Sequence, residues 1–282
     1  LMRVLDSVKA MADACKDIAR PLGLVPTMGH LHMGHISLVQ LARKQNESLA
    51  VSIFVNPTQF AAGEDFHSYP RNLDGDLELL DKEGADLVFV PSLEEMYPLR
   101  SDTWVNVVGL AVGPENECRP GHFRGVTTVV TKLFNIARPD RAYFGQKDGE
   151  QAVIIRGMVK DLNVGVDIVI SPTIREINGL AMSSRNVHLS RSEKSAASVI
   201  YRALSGAANL WESGQRCGAM IQDEVRRILT EEPLVRKIDY ICTVDANNLL
   251  ELNDSTEEVM IVLAVWIGKT RLIDNVSLKR SN

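Results

Sequence analysis

The 282-residue chain is poor in features that would indicate secretion, nucleic-acid binding or membrane insertion. Its four cysteines form no C-x-x-C pair, which argues against a disulfide framework or a zinc ribbon and is typical of a reducing compartment. It has no dense Lys/Arg tract and a net charge of -5, so a nucleic-acid groove is not expected. Its longest apolar run, Val259–Ile267, is far shorter than the roughly 20 residues that cross a bilayer.

The first residues contain no basic head followed by an apolar block, so we expect no signal peptide and a cytoplasmic location. The chain also lacks the two common phosphate-binding patterns, G-x-x-x-x-G-K-S/T and a G-x-G-x-x-G that follows a strand. What is present is an ordinary globular composition, with 45% hydrophobic and 24% charged residues and no internal repeat.

Short apolar runs alternate with amphipathic ones up to residue 170. These patterns predict strands at 23–27, 50–55, 87–90, 142–144 and 166–170, and helices at 36–45, 73–83, 127–137 and 151–162. The run 50–55 is almost wholly apolar, as expected of a strand covered on both faces. Strands that alternate with helices predict an α/β fold with a doubly wound parallel sheet.

The pattern changes after Pro172. Helices are predicted at about 191–212 and at 218–231, followed by strands at 238–244 and 259–266. Two helices followed by strands indicate a smaller α+β domain. We therefore expect two domains, residues 1–172 and residues 173–282.

The stretch PTMGHLHMGH, from Pro26 to His35, lies between a predicted strand and a predicted helix. His30, His32 and His35 could ligate zinc, although their spacing across a strand-to-helix turn does not direct them to one point. They could also serve only as turn and cap residues. The third interpretation is phosphate binding, because glycines let the backbone approach a ligand and because a helix N-terminus and imidazoles attract negative charge.

Further blocks accompany this stretch. His32–His35 resembles the H-x-G-H signature of the nucleotidyltransferase superfamily, which includes the class I aminoacyl-tRNA synthetases. The other blocks are SIFVNPTQF (52–60), YPR (69–71), RPGHFRGV (119–126), FGQKD (144–148) and MSSRN (182–186), with a weaker echo in TRLIDN (270–275). In their order and content, the blocks are similar to those of the pantoate–β-alanine ligase (pantothenate synthetase) family.

This resemblance implies an ATP-dependent ligase. Members of the family activate D-pantoate as an enzyme-bound pantoyl adenylate with release of pyrophosphate, and β-alanine then displaces AMP to give pantothenate. The resemblance also implies Mg²⁺, a homodimer, and a Rossmann-like domain followed by a small C-terminal domain. Neither a nucleic-acid partner nor a membrane partner is expected.

The resemblance assigns ATP binding to Met28, Gly29, His32, Gly34, His35, Gly145, Lys147, Asp148, Ile174, Met182, Ser183, Ser184 and Arg185. Within this set, it implies catalytic roles for His32, His35, Lys147, Ser183, Ser184 and Arg185. Histidine and lysine donors suit the charge that develops on the leaving pyrophosphate. Asp148 matches a ribose-binding carboxylate, and small hydroxyls beside an arginine suit a loop that closes over phosphates.

A second set is implied to bind pantoate and β-alanine: Asn56, Gln59, Arg119 and Gln151. The two glutamine amides offer both a donor and an acceptor to pantoate. A neutral pocket also leaves the pantoate carboxylate nucleophilic, whereas a bidentate arginine would stabilise the ground state.

Two positions depart from the family pattern. Gly149-Glu150 stands where the family usually has an aromatic or similar residue and a glutamine, and we expect Glu150 to face solvent or another layer. Asp74-Gly75-Asp76 follows YPR, where the family often has adjacent acidic residues, so Asp76 is only a candidate metal ligand. Mg²⁺ is expected mainly on the ATP phosphates, because it often uses few protein ligands.

Two other functions fit parts of the pattern. An adenylyltransferase of the same superfamily would need additional cations for a second phosphate, which Gln59 and Gln151 do not supply. A non-enzymatic nucleotide sensor would be expected to lose some of His32, His35, Lys147 and Ser184, and all of these are present.

Overall fold

The computed structural model describes residues 1–61, 63–109, 113–252 and 256–280. The contacts between residues divide the chain into two compact units. The first unit comprises Leu1–Ala111, Arg119–Gly145 and Ile154–Pro172, and the second comprises Val112–Cys118, Gln146–Val153 and Thr173–Asn282. Two short early segments thus belong with the C-terminal residues. That 1–172 and 173–282 are separate domains stays a prediction.

The first unit contains a six-stranded parallel sheet. Its strands are β1 (Arg3–Leu5), β2 (Leu22–Thr27), β3 (Ser48–Ile53), β4 (Leu87–Phe89), β5 (Arg141–Gly145) and β6 (Asp167–Ser171). Their order, β1-β4-β3-β2-β5-β6, confirms the predicted α/β fold with a parallel sheet. The strand order reverses between β2 and β5, and ligands of such sheets bind outside the carboxyl ends of the strands at this switch point.

The helices that precede β6 in the chain are α1 (Val8–Lys16), α2 (Met33–Gln45), α3 (Leu73–Lys82), α4 (Leu93–Met96), α5 (Pro114–Cys118), α6 (His122–Ala137) and α7 (Gly149–Asp161). On one face of the sheet, α1, α6 and α7 contribute Met11, Phe134 and Met158 to an apolar core. On the other face, α2 and α3 contribute Val39 and Leu80 to a second core. The sheet is therefore covered on both faces, which explains its nearly continuous apolar strands.

The second unit combines helices with a three-stranded antiparallel sheet in the order β7-β8-β9. After residue 172 its elements are α8 (Arg191–Ala196), α9 (Ser198–Glu212), α10 (Gly218–Thr230), β7 (Val235–Asp245), β8 (Glu258–Ile267) and β9 (Thr270–Lys279). Ala203, Ile221 and Leu263 share its apolar core. The smaller α+β part is confirmed. Within the described ranges, every helix is too short or too polar to span a membrane.

The structure corrects several element predictions. The helix predicted at 191–212 is two helices that meet at Ala197, a break that alanine-rich sequence does not signal because alanine favours helix throughout. The strand predicted at 50–55 is displaced toward the N-terminus, because Phe54 is buried in the core but lies beyond the ladder. β1, α1 and β9 are not predicted by the apolar pattern, and in β9 the buried polar pair Asp274 and Asn275 interrupts it.

Candidate active site

The loop after β2 places the histidine–glycine stretch at the carboxyl end of the first sheet. Gly29 has a φ of 80°, and a Cβ atom there would lie 3.0 Å from side-chain atoms of Asp76 and of Ile53, so the position requires glycine. The two carboxylate oxygens of Asp76 accept the amide hydrogens of His30 and Leu31, each at 2.7 Å. These two backbone donors are therefore used within the protein, and the buried Asp76 anchors the loop.

The two histidines of the H-x-G-H signature cap the start of α2. His32 Nδ1 accepts the amide hydrogen of Gly34 at 3.1 Å, and His35 Nδ1 accepts the amide hydrogen of His32 at 3.3 Å. The centroids of the two rings are 4.1 Å apart. The amides of His35 and Ile36 both donate to the carbonyl of His32. The helix thus begins earlier than predicted, and these first-turn amides are satisfied within the turn.

This capping fixes the proton positions on both rings. A ring nitrogen that accepts a hydrogen bond carries no proton, so the neutral forms of His32 and His35 carry their hydrogen on Nε2. An imidazole that bound zinc through Nε2 would need its hydrogen on Nδ1, which conflicts with the capping geometry. Two Nε2–H donors favour the phosphate interpretation over the zinc interpretation.

The candidate metal ligand Asp76 has a different use, since both of its oxygens hold backbone amides. In the part of the chain that the structure describes, no group of three or more His, Cys, Asp and Glu side chains is placed to hold a metal ion. A magnesium ion bound mainly through ATP phosphates needs few protein ligands, so the residues present fit that arrangement better than a protein-built metal cage.

Gln59 lies in a 3-10 turn, Pro57–Gln59, just after β3. Its side chain is buried, and its Oε1 accepts a hydrogen bond from Asn56 Nδ2 at 3.0 Å. Its Nε2 lies 3.2 Å from the sulfur of Met28 in the loop after β2. The structure therefore brings together three predicted site residues from two neighbouring strand ends.

Asn56 and Gly125 fix the position of this turn. The Oδ1 atom of Asn56 accepts hydrogen bonds from the hydroxyls of Thr58 at 2.8 Å and Tyr97 at 3.0 Å. A Cβ atom on Gly125 of α6 would lie 2.3 Å from the carbonyl oxygen of Thr58. The absence of a side chain at Gly125 thus allows α6 to approach the backbone that carries Gln59.

Arg119 is paired with Glu64 inside the first unit, through Nε at 2.8 Å and Nη2 at 2.5 Å. Burial alone would raise the pKa of Glu64, but the hydrogen bonds and charge of Arg119 lower it. The backbone carbonyl of Gln59 lies 3.3 Å from Arg119 Nη2 and 2.7 Å from His122 Nδ1. Arg119 therefore holds the Gln59 backbone while Glu64 offsets its charge, so the surroundings of Gln59 stay close to neutral.

In the second unit, Lys147 and Asp148 lie in the 3-10 turn Gln146–Asp148, and Lys147 Nζ donates to Asp148 Oδ1 at 3.1 Å. Asn275 of β9 holds this turn through Nδ2, which donates to the carbonyls of Gln146 at 2.8 Å and of Lys147 at 2.9 Å. Gln146 Nε2 in turn donates to Asn275 Oδ1 at 2.9 Å. The backbone of Lys147 is therefore fixed by a residue 128 positions later in the chain.

Ile174 and Met182 are joined through their backbones, because the Met182 amide donates to the Ile174 carbonyl at 2.9 Å. Next to Ile174, Arg175 Nη1 and Nη2 donate to the two carboxylate oxygens of Asp274 at 2.6 and 3.1 Å. The adjacent residues Asp274 and Asn275 of β9 thus anchor two segments that the sequence assigned to ATP binding.

Ser183 precedes the 3-10 helix Ser184–His188, and its Oγ accepts the amide hydrogen of Arg185 at 3.3 Å. Ser184 is buried, whereas Ser183 and Arg185 are half-buried. Asn186 Nδ2 donates to the carbonyl of Ala181 at 3.1 Å, which ties this helix to the preceding segment. The serine–arginine segment therefore has a defined conformation in the described chain.

Glu150 was expected to face either solvent or another layer of the protein. In the structure it faces another layer. Glu150 is buried, with Oε2 3.0 Å from the Tyr240 hydroxyl oxygen and Oε1 accepting the Glu115 amide hydrogen at 3.3 Å. The positive end of the α7 helix dipole stabilises an ionised Glu150 by about 0.3–1 kcal/mol. Burying that ion costs several kcal/mol, which is the larger effect. Burial therefore raises the pKa of Glu150 to about 7. The half-buried Gln151 follows in the same turn.

Sequence reasoning assigned no role to Asp274 and Asn275, although both lie in the TRLIDN block. A signal for them existed, because an adjacent Asp-Asn pair inside an otherwise apolar strand must find buried partners. His122 was also missed as a support for Gln59. Its position inside RPGHFRGV, three residues after Arg119, would have been the corresponding signal.

The sheet order and the capped H-x-G-H turn define an α/β protein with two histidines at the switch point of its parallel sheet. The chain belongs to the pantoate–β-alanine ligase family, which it matches over residues 1–277. This confirms the resemblance carried by the sequence blocks. Membership of this family makes the chain an enzyme, a ligase that joins pantoate to β-alanine in pantothenate biosynthesis.

Individual relatives agree with this placement. The chain is 48% identical over 279 residues to the pantothenate synthetase of Moorella thermoacetica, covering 99% of this chain and 98% of that protein. The solved pantothenate synthetase of Thermus thermophilus has a TM-score of 0.92 and 43% identity, with 98% and 99% of the two chains covered. A Francisella tularensis pantoate–β-alanine ligase, solved with beta-gamma ATP and β-alanine, has a TM-score of 0.81 and 34% identity, with 100% and 99% covered.

Proposed function

We propose that the enzyme makes pantothenate in two steps, with ATP as the activating substrate. The pantoate carboxylate attacks the α-phosphorus of ATP, so that pantoyl adenylate forms and pyrophosphate leaves. The β-alanine amine then attacks the acyl carbon, the bond to AMP breaks, and the amine loses a proton as the amide forms. Activation is needed because an unmodified carboxylate would have to expel oxide. The Francisella relative solved with beta-gamma ATP supports this choice of co-substrate.

The observation that carries this proposal is the pair of capping imidazoles at the start of α2. Their Nδ1 atoms accept backbone hydrogens, so His32 and His35 each carry an Nε2–H donor when neutral. Donors fixed in advance stabilise the charge that develops on the leaving pyrophosphate. We assign this role to the two histidines, and the ATP phosphates to the loop beside them, with Met28, Gly29 and Gly34 as lining residues.

In the second unit, Lys147 is proposed as a cation for phosphate oxygens and Asp148 as the ribose ligand. Their turn is supported by Asn275, which keeps the Lys147 backbone in place. The remaining proposed ATP ligands are Gly145, at the end of β5, with Ile174, Met182, Ser183, Ser184 and Arg185. Of these, Ser183 and Arg185 are proposed to close over the phosphates, since they are more accessible than Ser184.

The acid pocket is proposed to be neutral. Gln59 and Gln151 would bind the hydroxyls and carboxylate of pantoate through their amides. Asn56 and Arg119 are proposed to contribute through Gln59, because Asn56 orients its amide and Arg119 holds its carbonyl. An arginine already paired with Glu64 leaves the pantoate carboxylate reactive.

Several further properties belong to the same proposal. Mg²⁺ would be held by the ATP phosphates, where it would neutralise charge on them. The enzyme is proposed to be a cytoplasmic homodimer, with residues 1–172 and 173–282 as its two domains. These properties rest on the family resemblance, and each can be tested separately from the chemistry.

The two-step reaction can be tested by isotope exchange. With pantoate, Mg²⁺ and ATP but no β-alanine, the enzyme should transfer labelled pyrophosphate into ATP, because adenylation is reversible before the amine arrives. Omitting pantoate should abolish the exchange. Exchange that requires β-alanine, or that proceeds without pantoate, would show that the adenylate mechanism is wrong.

A further inference from the structure

Glu150 belongs to a buried cluster of acidic groups inside the second unit. Glu115, Glu150 and Tyr240 are each less than a tenth exposed, at 3%, 7% and 9%. The Tyr240 hydroxyl oxygen lies 3.0 Å from Glu115 Oε2 and 3.0 Å from Glu150 Oε2. One hydroxyl therefore stands within hydrogen-bond distance of two carboxyl groups at once.

A count of hydrogens decides the protonation state of this cluster. A tyrosine hydroxyl has one hydrogen and can donate it to only one of the two oxygens. The other close oxygen must then bring its own hydrogen and donate to the tyrosine oxygen, which means that one carboxyl group is the neutral acid. Arg271 makes two hydrogen bonds to Glu115, at 2.9 and 2.7 Å, so Glu115 is the carboxylate and Glu150 the acid.

A count of charges gives the same result. Arg271 is shared between Glu115 and Asp239, whose Oδ2 lies 2.7 Å from Arg271 Nε. Lys237 lies 2.7 Å from the same Asp239 side chain. Two cations thus balance two carboxylates, and an ionised Glu150 would add an uncompensated negative charge to a buried site.

We propose that Glu150 is a positioning residue that holds the first turn of α7 only while it is a neutral acid, and that its ionisation weakens pantoate binding. As the acid, Glu150 links α7 to Tyr240 on β7 and accepts the amide hydrogen of Glu115 on α5. As the anion, it has no hydrogen of its own to donate, and the single hydrogen of the Tyr240 hydroxyl then lies between two carboxylates. The first turn of α7, which Glu150 holds, also carries Gln151. The 3-10 turn that contains Lys147 lies directly before it in the chain.

The titratable and charged groups around Glu150 come from three elements. α5 supplies Glu115, β7 supplies Tyr240 and Cys242, and β9 supplies Arg271. Burial and the charge of Glu115 raise the pKa of Glu150 to about 7, from an ordinary value of 4.5. The hydrogen bond that the neutral Glu150 donates to Tyr240 is thus lost as the pH rises through about 7, which is within the physiological range, and one tyrosine hydrogen is left for two carboxylates.

The kinetic test compares the wild-type enzyme with E150Q, since glutamine has nearly the same shape and cannot ionise. We expect the wild-type KM for pantoate to rise about tenfold between about pH 6 and about pH 8.5, and that of E150Q to change less than about twofold. kcat should change less than KM in both proteins. E117Q, which removes an exposed carboxylate of α5, should keep the wild-type profile. The three proteins differ from one another only at residues 117 and 150, so parallel profiles for wild type and E150Q would overturn the proposal.

A second test does not depend on catalysis, whereas the kinetic test rests on the proposed function. The infrared carbonyl band of a protonated carboxyl group should be present in the wild type at about pH 6 and fade with a midpoint near pH 7. E150Q should lack this component at every pH. A band unaffected by E150Q would overturn the proposal even if the ligase assignment holds. A band that behaves as expected, in a protein without ligase activity, would refute only the proposed function.

The melting temperature gives the third readout. Between pH 4.5 and about 7 the folded protein binds more protons at Glu150 than the unfolded protein, so stability falls as the pH rises through this interval and then levels off. The melting temperature of the wild type should therefore decline relative to that of E150Q over the same interval. A constant difference between the two proteins would contradict a neutral Glu150.

Discussion

The two units hold their candidate site residues in different ways. In the first unit, part of the support is local: His35 accepts a hydrogen bond from the amide of His32, and Asn56 orients Gln59. In the second unit, Asn275 holds the Lys147 turn across 128 positions of the chain. Local support forms with the element that carries it, whereas distant support requires that β9 be in place.

The difference extends to how charge is handled. In the first unit, Arg119 faces Glu64, one cation against one carboxylate. In the second unit, the acidic cluster around Tyr240 has more carboxyl groups than cations and balances its charge through a proton. A salt-bridge pair of the first kind changes little near neutral pH, while a cluster of the second kind responds to pH there.

The largest effect is expected from the capping histidines. His35→Ala should slow adenylation by about 10²–10³-fold, the range for removing one preorganised donor. Pyrophosphate exchange measures this directly. His35→Gln should be equally slow, although glutamine at this position can still accept the His32 amide and so keep the helix cap. His67→Ala, at an exposed histidine, should leave the rate unchanged. If His35→Gln restored exchange, the role of His35 would be capping alone.

Gly125→Ala should have the next largest effect. The new methyl group would lie 2.3 Å from the Thr58 carbonyl oxygen, a backbone atom that cannot rotate away. Overpacking of this kind costs about 3 kcal/mol at the upper end of its usual range, and it should displace the turn that carries Gln59. Thermal unfolding and the KM for pantoate would both report the change. At Gly165, no atom of the described chain beyond the adjacent residues lies within 4 Å of an added Cβ. Gly165→Ala should therefore leave the melting temperature and the KM for pantoate nearly unchanged.

Asn275→Ala tests the long-range support of the Lys147 turn in the second unit. Two carbonyls, those of Gln146 and Lys147, would lose their side-chain donor, at about 1–3 kcal/mol in total if water replaces it only in part. We expect the KM for ATP to rise about tenfold, which corresponds to about 1.4 kcal/mol. Ser277→Ala removes a single contact to the Gln146 side chain at 3.1 Å and serves as the control. Equal effects of the two variants would mean that the carbonyl contacts do not position Lys147.

These contrasts explain how much the sequence could predict. The strands of the parallel sheet and the H-x-G-H turn follow from local patterns, so β2, β5 and α2 could be located from apolar periodicity and motif. β9 could not, because the partners that compensate its buried Asp274 and Asn275 lie far away in the chain. The burial of Glu150 has the same cause, since its contacts with Glu115 and Tyr240 join residues far apart in the chain.

The same distinction between local pattern and distant contact applies to the candidate site residues. The family blocks indicated which residues matter, but not what each one contacts. Asp76 looked like a metal candidate because it is acidic, and only the fold shows that its oxygens hold the amides of His30 and Leu31. The family resemblance implies that Arg119 binds pantoate or β-alanine, and only the fold shows that it is paired with Glu64.

The smallest effect is expected at that ion pair, and it tests the claim that the Arg119–Glu64 salt bridge is insensitive to pH near neutrality. The charge and hydrogen bonds of Arg119 hold the pKa of Glu64 below its ordinary value of 4.5, against the opposing effect of burial. The pair therefore stabilises the fold above pH 4.5, and this contribution is lost as the pH falls through the lowered pKa. Glu64→Gln should lower the free energy of unfolding by about 1–2 kcal/mol at neutral pH, which lies between the values for exposed and buried ion pairs. The difference in melting temperature between wild type and variant should be constant from about pH 6 to about pH 8.5 and shrink only in acid. A difference that instead changed near pH 7 would mean that the first unit, like the Tyr240 cluster, contains a proton-dependent contact.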